Sequence, residues 1–111
     1  MTGSINELPI TMEEDEMFNH MSVTDTLTER GKRYGLFKDH ATITQDFKFL
    51  VRKHMGEAKW ATLADDQKEA LEMICHKIGR IVNGDPNYAD SWTDIAGYAQ
   101  LVSDRLEGKA R

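Results

Sequence analysis

Asp65 to Gly108 reads DDQKEALEMICHKIGRIVNGDPNYADSWTDIAGYAQLVSDRLEG, and its apolar spacing sets the architecture of the chain. Leu71, Ile74, Cys75, Ile78, Ile81 and Val82 recur at helical spacing, which predicts one amphipathic helix from about Asp65 to Val82. Lys77 and Arg80 suit its C-terminal end, where cations complement the helix dipole, and Asn83-Gly84 supplies a left-handed stop. Beyond the short loop Asp85-Pro86-Asn87-Tyr88, a second helix is predicted from about Ala89 to Glu107, with Trp92, Ile95, Ala96, Ala99, Val102 and Leu106 on its inner face. So short a connection between two long amphipathic helices makes them antiparallel neighbours.

Working upstream, Trp60 and Leu63 anchor a connecting loop, and Gly56 ends a helix that begins near Asp39 and carries Ile43, Phe47, Leu50 and Val51 as one stripe. A shorter helix is expected from Val23 to Lys32, capped by Ser22 and stopped at Tyr34-Gly35. Residues 1–21 combine Gly3, Ser4, Pro9 and the acidic run Glu13-Glu14-Asp15-Glu16 without a sustained apolar period, and so read as a tail. The expected organisation is an all-α bundle of about four helices over residues 22–108, between tails at 1–21 and 109–111.

Composition narrows the functional classes. The chain has 111 residues, 40% of them hydrophobic, and a formal net charge of -5. That balance opposes general adhesion to nucleic acid, while a nucleotide remains compatible through a bound cation or a local Lys/Arg cluster. It equally suits a surface that meets a basic patch on another protein. Cys75, the lone cysteine, lies among Met73, Ile74 and Ile78 and reads as a small buried hydrophobe. No apolar run is long enough for a membrane span, and the acidic start lacks the pattern of a secretory signal; the expected location is the cytoplasm.

Two pairs of acids carry the chemistry. Glu69 and Glu72 share a helix face that His76 and Arg80 continue, while Asp90 and Asp94 lie one turn apart on the next helix with Tyr98 beside them. Converging carboxylates repel one another unless a cation neutralises them, and Mg²⁺ prefers oxygen ligands and bridges to phosphates. The plainer alternatives are a solvated face for Glu69, Glu72, His76 and Arg80, and for Asp90 a first-turn residue complementing the helix dipole. Gly97, Tyr98 and Leu101 beside Asp90 and Asp94 point to a face covered by another helix or subunit. Arg30, Lys32 and Arg33 form the densest basic cluster, next to Tyr34, and suit phosphate contact with base stacking; pairing with Glu29 or the helix end is the alternative. Lys77 and Arg80 offer further phosphate contacts. His20, His40 and His54 are too scattered for a zinc site.

ERGKRYGLFKDHA (Glu29–Ala41) with DQKEALEMICHKIGRIVNGDPNYADSWTDIAGYAQL (Asp66–Leu101) resembles a family of small uncharacterised bacteriophage and prophage proteins. More remotely, the helix pair is similar to the all-α nucleoside triphosphate pyrophosphohydrolases, the MazG and dimeric dUTPase group. That resemblance implies ExxE and ExxD pairs holding Mg²⁺ against a nucleotide's phosphates: Glu69 and Glu72 match the first, and Asp90 and Asp94 take the place of the second. It implies metal ligation by all four acids, a glutamate acting on the attacking water, phosphate contacts from Lys77 and Arg80, base stacking on Tyr34 or Tyr98, and a homo-oligomer, dimer or tetramer. Here the second pair is DxxxD, and each aspartate is one methylene shorter than glutamate, which alters the coordination geometry. Three functions follow as expectations: a Mg²⁺-dependent nucleotide pyrophosphohydrolase, a protein that binds and sequesters a nucleotide used in host defence signalling, or an acidic inhibitor or adaptor of a host protein.

Overall fold

Ser22 starts the first helix as expected: its side-chain oxygen accepts from the Asp25 backbone N–H at 2.9 Å. In a computed structural model, which describes residues 22–109, the elements are α1 (Val23–Tyr34), α2 (Phe37–Met55), α3 (Glu57–Thr62), α4 (Asp65–Asn83) and α5 (Ala89–Leu106). The fold is all-α, and no strand occurs among the described residues. No helix there is long and apolar enough to cross a membrane. The tail over residues 1–21 lies outside the described residues.

α4 is the central element. α2 packs along one flank, α5 along the other, and α1 meets α2 and α4. The α4–α5 hairpin is antiparallel, as its short loop requires, and two ion pairs fix its register. Arg105 grips Asp66 with two hydrogen bonds of 2.8 and 2.7 Å, and Lys77 Nζ meets Asp94 Oδ2 at 2.9 Å. The Arg105 bonds hold the Asp66 carboxyl below its ordinary range.

The α2–α4 contact is close and polar. His40 and Thr44 are buried on α2, and the His40 Nε2–H donates to the His76 carbonyl at 3.0 Å. Gly79 makes this crossing possible, because a Cβ there would run into Thr44 Oγ1 and the His40 ring.

Four expectations need correction. The Trp60 region is a short helix, α3, with Trp60 buried beneath the Arg52 guanidinium at 4.3 Å, and not an irregular loop. Gly84 is not left-handed (φ -128°); glycine is required because a Cβ would strike the Arg33 carbonyl and the Tyr34 backbone. α2 begins at Phe37 with Leu36 as its cap, which leaves Asp39 in the first turn. Lastly, α5 is rotated from its expected orientation. Ser91 is buried and Ile95, Tyr98 and Val102 are partly covered, whereas Trp92 is 54% exposed, Leu106 is 60% exposed, and Ala96 and Ala99 are also exposed.

The resulting core is thin. Among the described residues only Trp60, Ala70 and Cys75 are buried apolar side chains. Leu71, Ile74, Ile78 and Ile81 of the α4 stripe are partly covered, and Val82 is exposed.

Candidate functional site

The hairpin register determines where the four acids lie. Lys77 stands opposite Asp94 and Asp66 opposite Arg105, so Glu72 is about five residues, or ~7.5 Å along the axis, from the level of Asp94. Glu69 and Asp90 are separated by ~18 Å on the same reckoning. Their directions differ too. Glu72 lines a groove of about 480 Å³ between α2, α3 and α4, with Lys48, Arg52 and Trp60. Asp94 is engaged by the buried Lys77, Asp90 accepts from the Tyr88 hydroxyl at 2.9 Å, and Glu69 is exposed. No three Asp, Glu, His or Cys side chains among the described residues are grouped to hold a metal ion. Within one chain, the acids therefore do not fit Mg²⁺ as a shared four-carboxylate centre.

The basic and aromatic residues do come together. The C-terminal turn of α1 meets the far end of α4 and the α4–α5 loop, where Asn83 Nδ2 donates to the carbonyls of Tyr34 and Leu36 at 2.9 and 3.0 Å. The Arg80 guanidinium lies 4.1 Å over the Tyr34 ring, Arg33 lies 4.6 Å over the Tyr88 ring, and the two tyrosines meet edge to face at 6.1 Å. Arg33 also donates to the Tyr88 hydroxyl at 2.6 Å, and the Asp90 bond raises the affinity of that hydroxyl for its proton.

Beside this corner opens a groove of about 460 Å³ walled by α1, α2 and α4. Arg30, Tyr34 and Arg80 line it with Phe37, His40 and His76, and no carboxylate belongs to its lining. Arg80 Nε is buried without a hydrogen-bond partner, and Arg80 makes no ion pair among the described residues. His76 is held neutral, its pKa lowered to about 4 chiefly by burial and next by the charge of Arg80. His76 therefore adds no positive charge to the groove at neutral pH, and Arg30 and Arg80 do.

Of the candidate contacts, Arg30, Tyr34 and Arg80 share this groove, while Arg33 is engaged by Tyr88. Lys77 is committed to Asp94, and Tyr98 on α5 is not among the lining residues. Sequence reasoning passed over Phe37, His40 and His76 as groove walls. The surface reading of the Glu69–Glu72–His76–Arg80 face is also corrected: His76 and Arg80 meet α2 and α1, and of the four only Glu69 is exposed. The signal was present in Gly79, since a glycine in the middle of a helix marks close approach by another element.

No curated protein and no solved structure matches this chain. One family model does, over residues 22–106, which is most of the chain and all five helices; the protein belongs to the family described as a domain of unknown function, DUF6378.

Proposed function

We propose that the α1–α2–α4 groove binds a nucleotide or a similarly planar phosphorylated small molecule, and that the protein acts by holding this ligand. The supporting observation is Arg80. A guanidinium that lines the groove, stacks on Tyr34 and makes no ion pair among the described residues has charge free to meet an anion. Arg30 adds a second charge, and the exposed Phe37 ring offers a stacking surface. Neutral His76 supplies a polar edge without adding charge.

Binding is favoured over metal-dependent hydrolysis because the carboxylates are dispersed while the cationic and aromatic groups converge. Hydrolysis by those acids would require a second subunit to complete the ligand set.

Calorimetric titration and thermal shift with mono-, di-, tri- and cyclic nucleotides, inorganic phosphate and pyrophosphate test this reading. At least one nucleotide is expected to raise the melting temperature. Arg80→Gln should weaken its binding at least tenfold, about 1.4 kcal/mol, and Arg30→Gln less. A full panel without a shift, or an Arg80→Gln variant that binds as tightly as the parent, overturns the proposal. Pyrophosphate release with Mg²⁺, lost in a Glu72→Ala/Asp94→Ala double variant that remains folded, would restore the hydrolase reading.

A further inference from the structure

Charge in the α1–α2–α4 groove limits the form of phosphate it can hold. Arg30 and Arg80 line it, and among the described residues no lysine and no carboxylate belong to the lining. Arg33, on the same helix as Arg30, is engaged by the Tyr88 hydroxyl at 2.6 Å and by Glu29 at 3.5 Å. The permanent charge of the groove is thus that of two guanidiniums. A phosphate monoester at neutral pH carries about -1.5 to -2, which two arginines balance. A cyclic diester carries less.

A triphosphate is a poorer match. It brings more negative charge than two guanidiniums offset, and it travels with Mg²⁺, which sits between phosphate oxygens and protein carboxylates. In this groove that metal would meet two arginines and no carboxylate. The acids that could serve it lie elsewhere: Glu72 lines the α2–α3–α4 groove, Asp94 holds Lys77, and Asp90 takes the Tyr88 hydroxyl.

The aromatic walls place the other end of the ligand. Arg80 covers one face of Tyr34 at 4.1 Å, and Tyr88 meets the same ring edge to face. Phe37 is 75% exposed and touches His40 edge to face at 6.0 Å, which leaves its ring open for stacking. The groove volume of about 460 Å³ lies low in the ~300–1,000 Å³ range of small-molecule sites and suits a single nucleotide unit.

We infer that the ligand is a nucleoside monophosphate, open or 3′,5′-cyclic, bound without a metal ion, its phosphate between Arg30 and Arg80 and its base on Phe37. This rests on the groove being a nucleotide site, as proposed above. Calorimetric titration of the full chain with 5′-monophosphates, 3′,5′-cyclic monophosphates and 5′-triphosphates of adenosine, guanosine, cytidine and uridine, each in Mg²⁺ and in EDTA, tests it. A monophosphate form should bind at least tenfold more tightly than the matching Mg²⁺-triphosphate, with the same Kd in EDTA. Phe37→Ala should weaken that binding at least fivefold, and Phe37→Tyr, which keeps a ring, should bind as the parent does. A triphosphate that binds more tightly with Mg²⁺, loses affinity in EDTA and is released by Arg80→Gln overturns the inference and leaves the groove a nucleotide site. Unchanged binding in Phe37→Ala also overturns it. Absence of binding by every form overturns the groove reading itself, and this inference with it.

Discussion

The two tryptophans sit on different sides of α4 and differ in their surroundings. Trp60 is buried by α3 and α2 under Arg52, which Glu57 holds in turn at 2.7 Å. Trp92 remains more than half exposed, tied down by its indole N–H donating to the Pro86 carbonyl at 2.8 Å. Both are bulky aromatics in amphipathic segments, yet only one belongs to the core of the chain. The difference separates a ring that the fold itself covers from one that it leaves largely in contact with solvent.

The largest test of that contrast exchanges each ring for a methyl group. Trp60→Ala should cost about 3–5 kcal/mol in urea unfolding, as for a large buried side chain. Trp92→Ala should cost less than about 1 kcal/mol, the range for an exposed site. Equal losses would abolish the distinction.

Two glycines sharpen it further. Gly79→Ala pushes a methyl group into Thr44 and the hydrogen-bonded His40 ring and should destabilise by about 1–3 kcal/mol. Gly97→Ala on α5 meets nothing within 4 Å and should stabilise by about 0.5–1 kcal/mol through helix propensity alone. Opposite signs in one denaturation series are the expected result.

A further effect is in pH. The folded state lowers the His76 pKa from 6.5 to about 4, so the unfolded chain takes up this proton first. Stability from this group is complete above about pH 6.5, declines as pH falls towards 4, and levels off below that. Asp66, whose folded pKa is depressed, adds a further loss only as pH falls below its ordinary 3.8. Melting temperatures from pH 4 to 7 should show the first decline, and His76→Gln should flatten it.

The hairpin was legible from residues because stripe, loop and helix ends agree over more than forty positions. Helix boundaries elsewhere fell within two residues for the same reason. The rotation of α5 was not legible: apolar periodicity marks which residues seek cover but not whether the covering surface belongs to the same chain. α3 has six residues, too few to show a period, and so resembled a loop. The acids misled in a different way. ExxE and DxxxD spacing places each pair on one face, but convergence depends on register, and register here follows from Lys77–Asp94 and Asp66–Arg105 pairing across the hairpin. The Arg30–Tyr34 cluster was recognisable as a patch, whereas its meeting with Arg80 depends on Asn83 reaching back across the turn.

That reach by Asn83 governs how the molecule opens. α1 buries no residue of its own, and its attachment concentrates in the last turn, where Asn83 takes two carbonyls and the Asp85 N–H donates to the Arg33 carbonyl at 2.6 Å. Elements with few buried contacts exchange their amide hydrogens first. The helix is thus fastened like a hinged flap at its C-terminal end, and fraying from Val23 inward carries Leu27 and Arg30 away from the groove they help to wall while the clasp at Tyr34 stays shut.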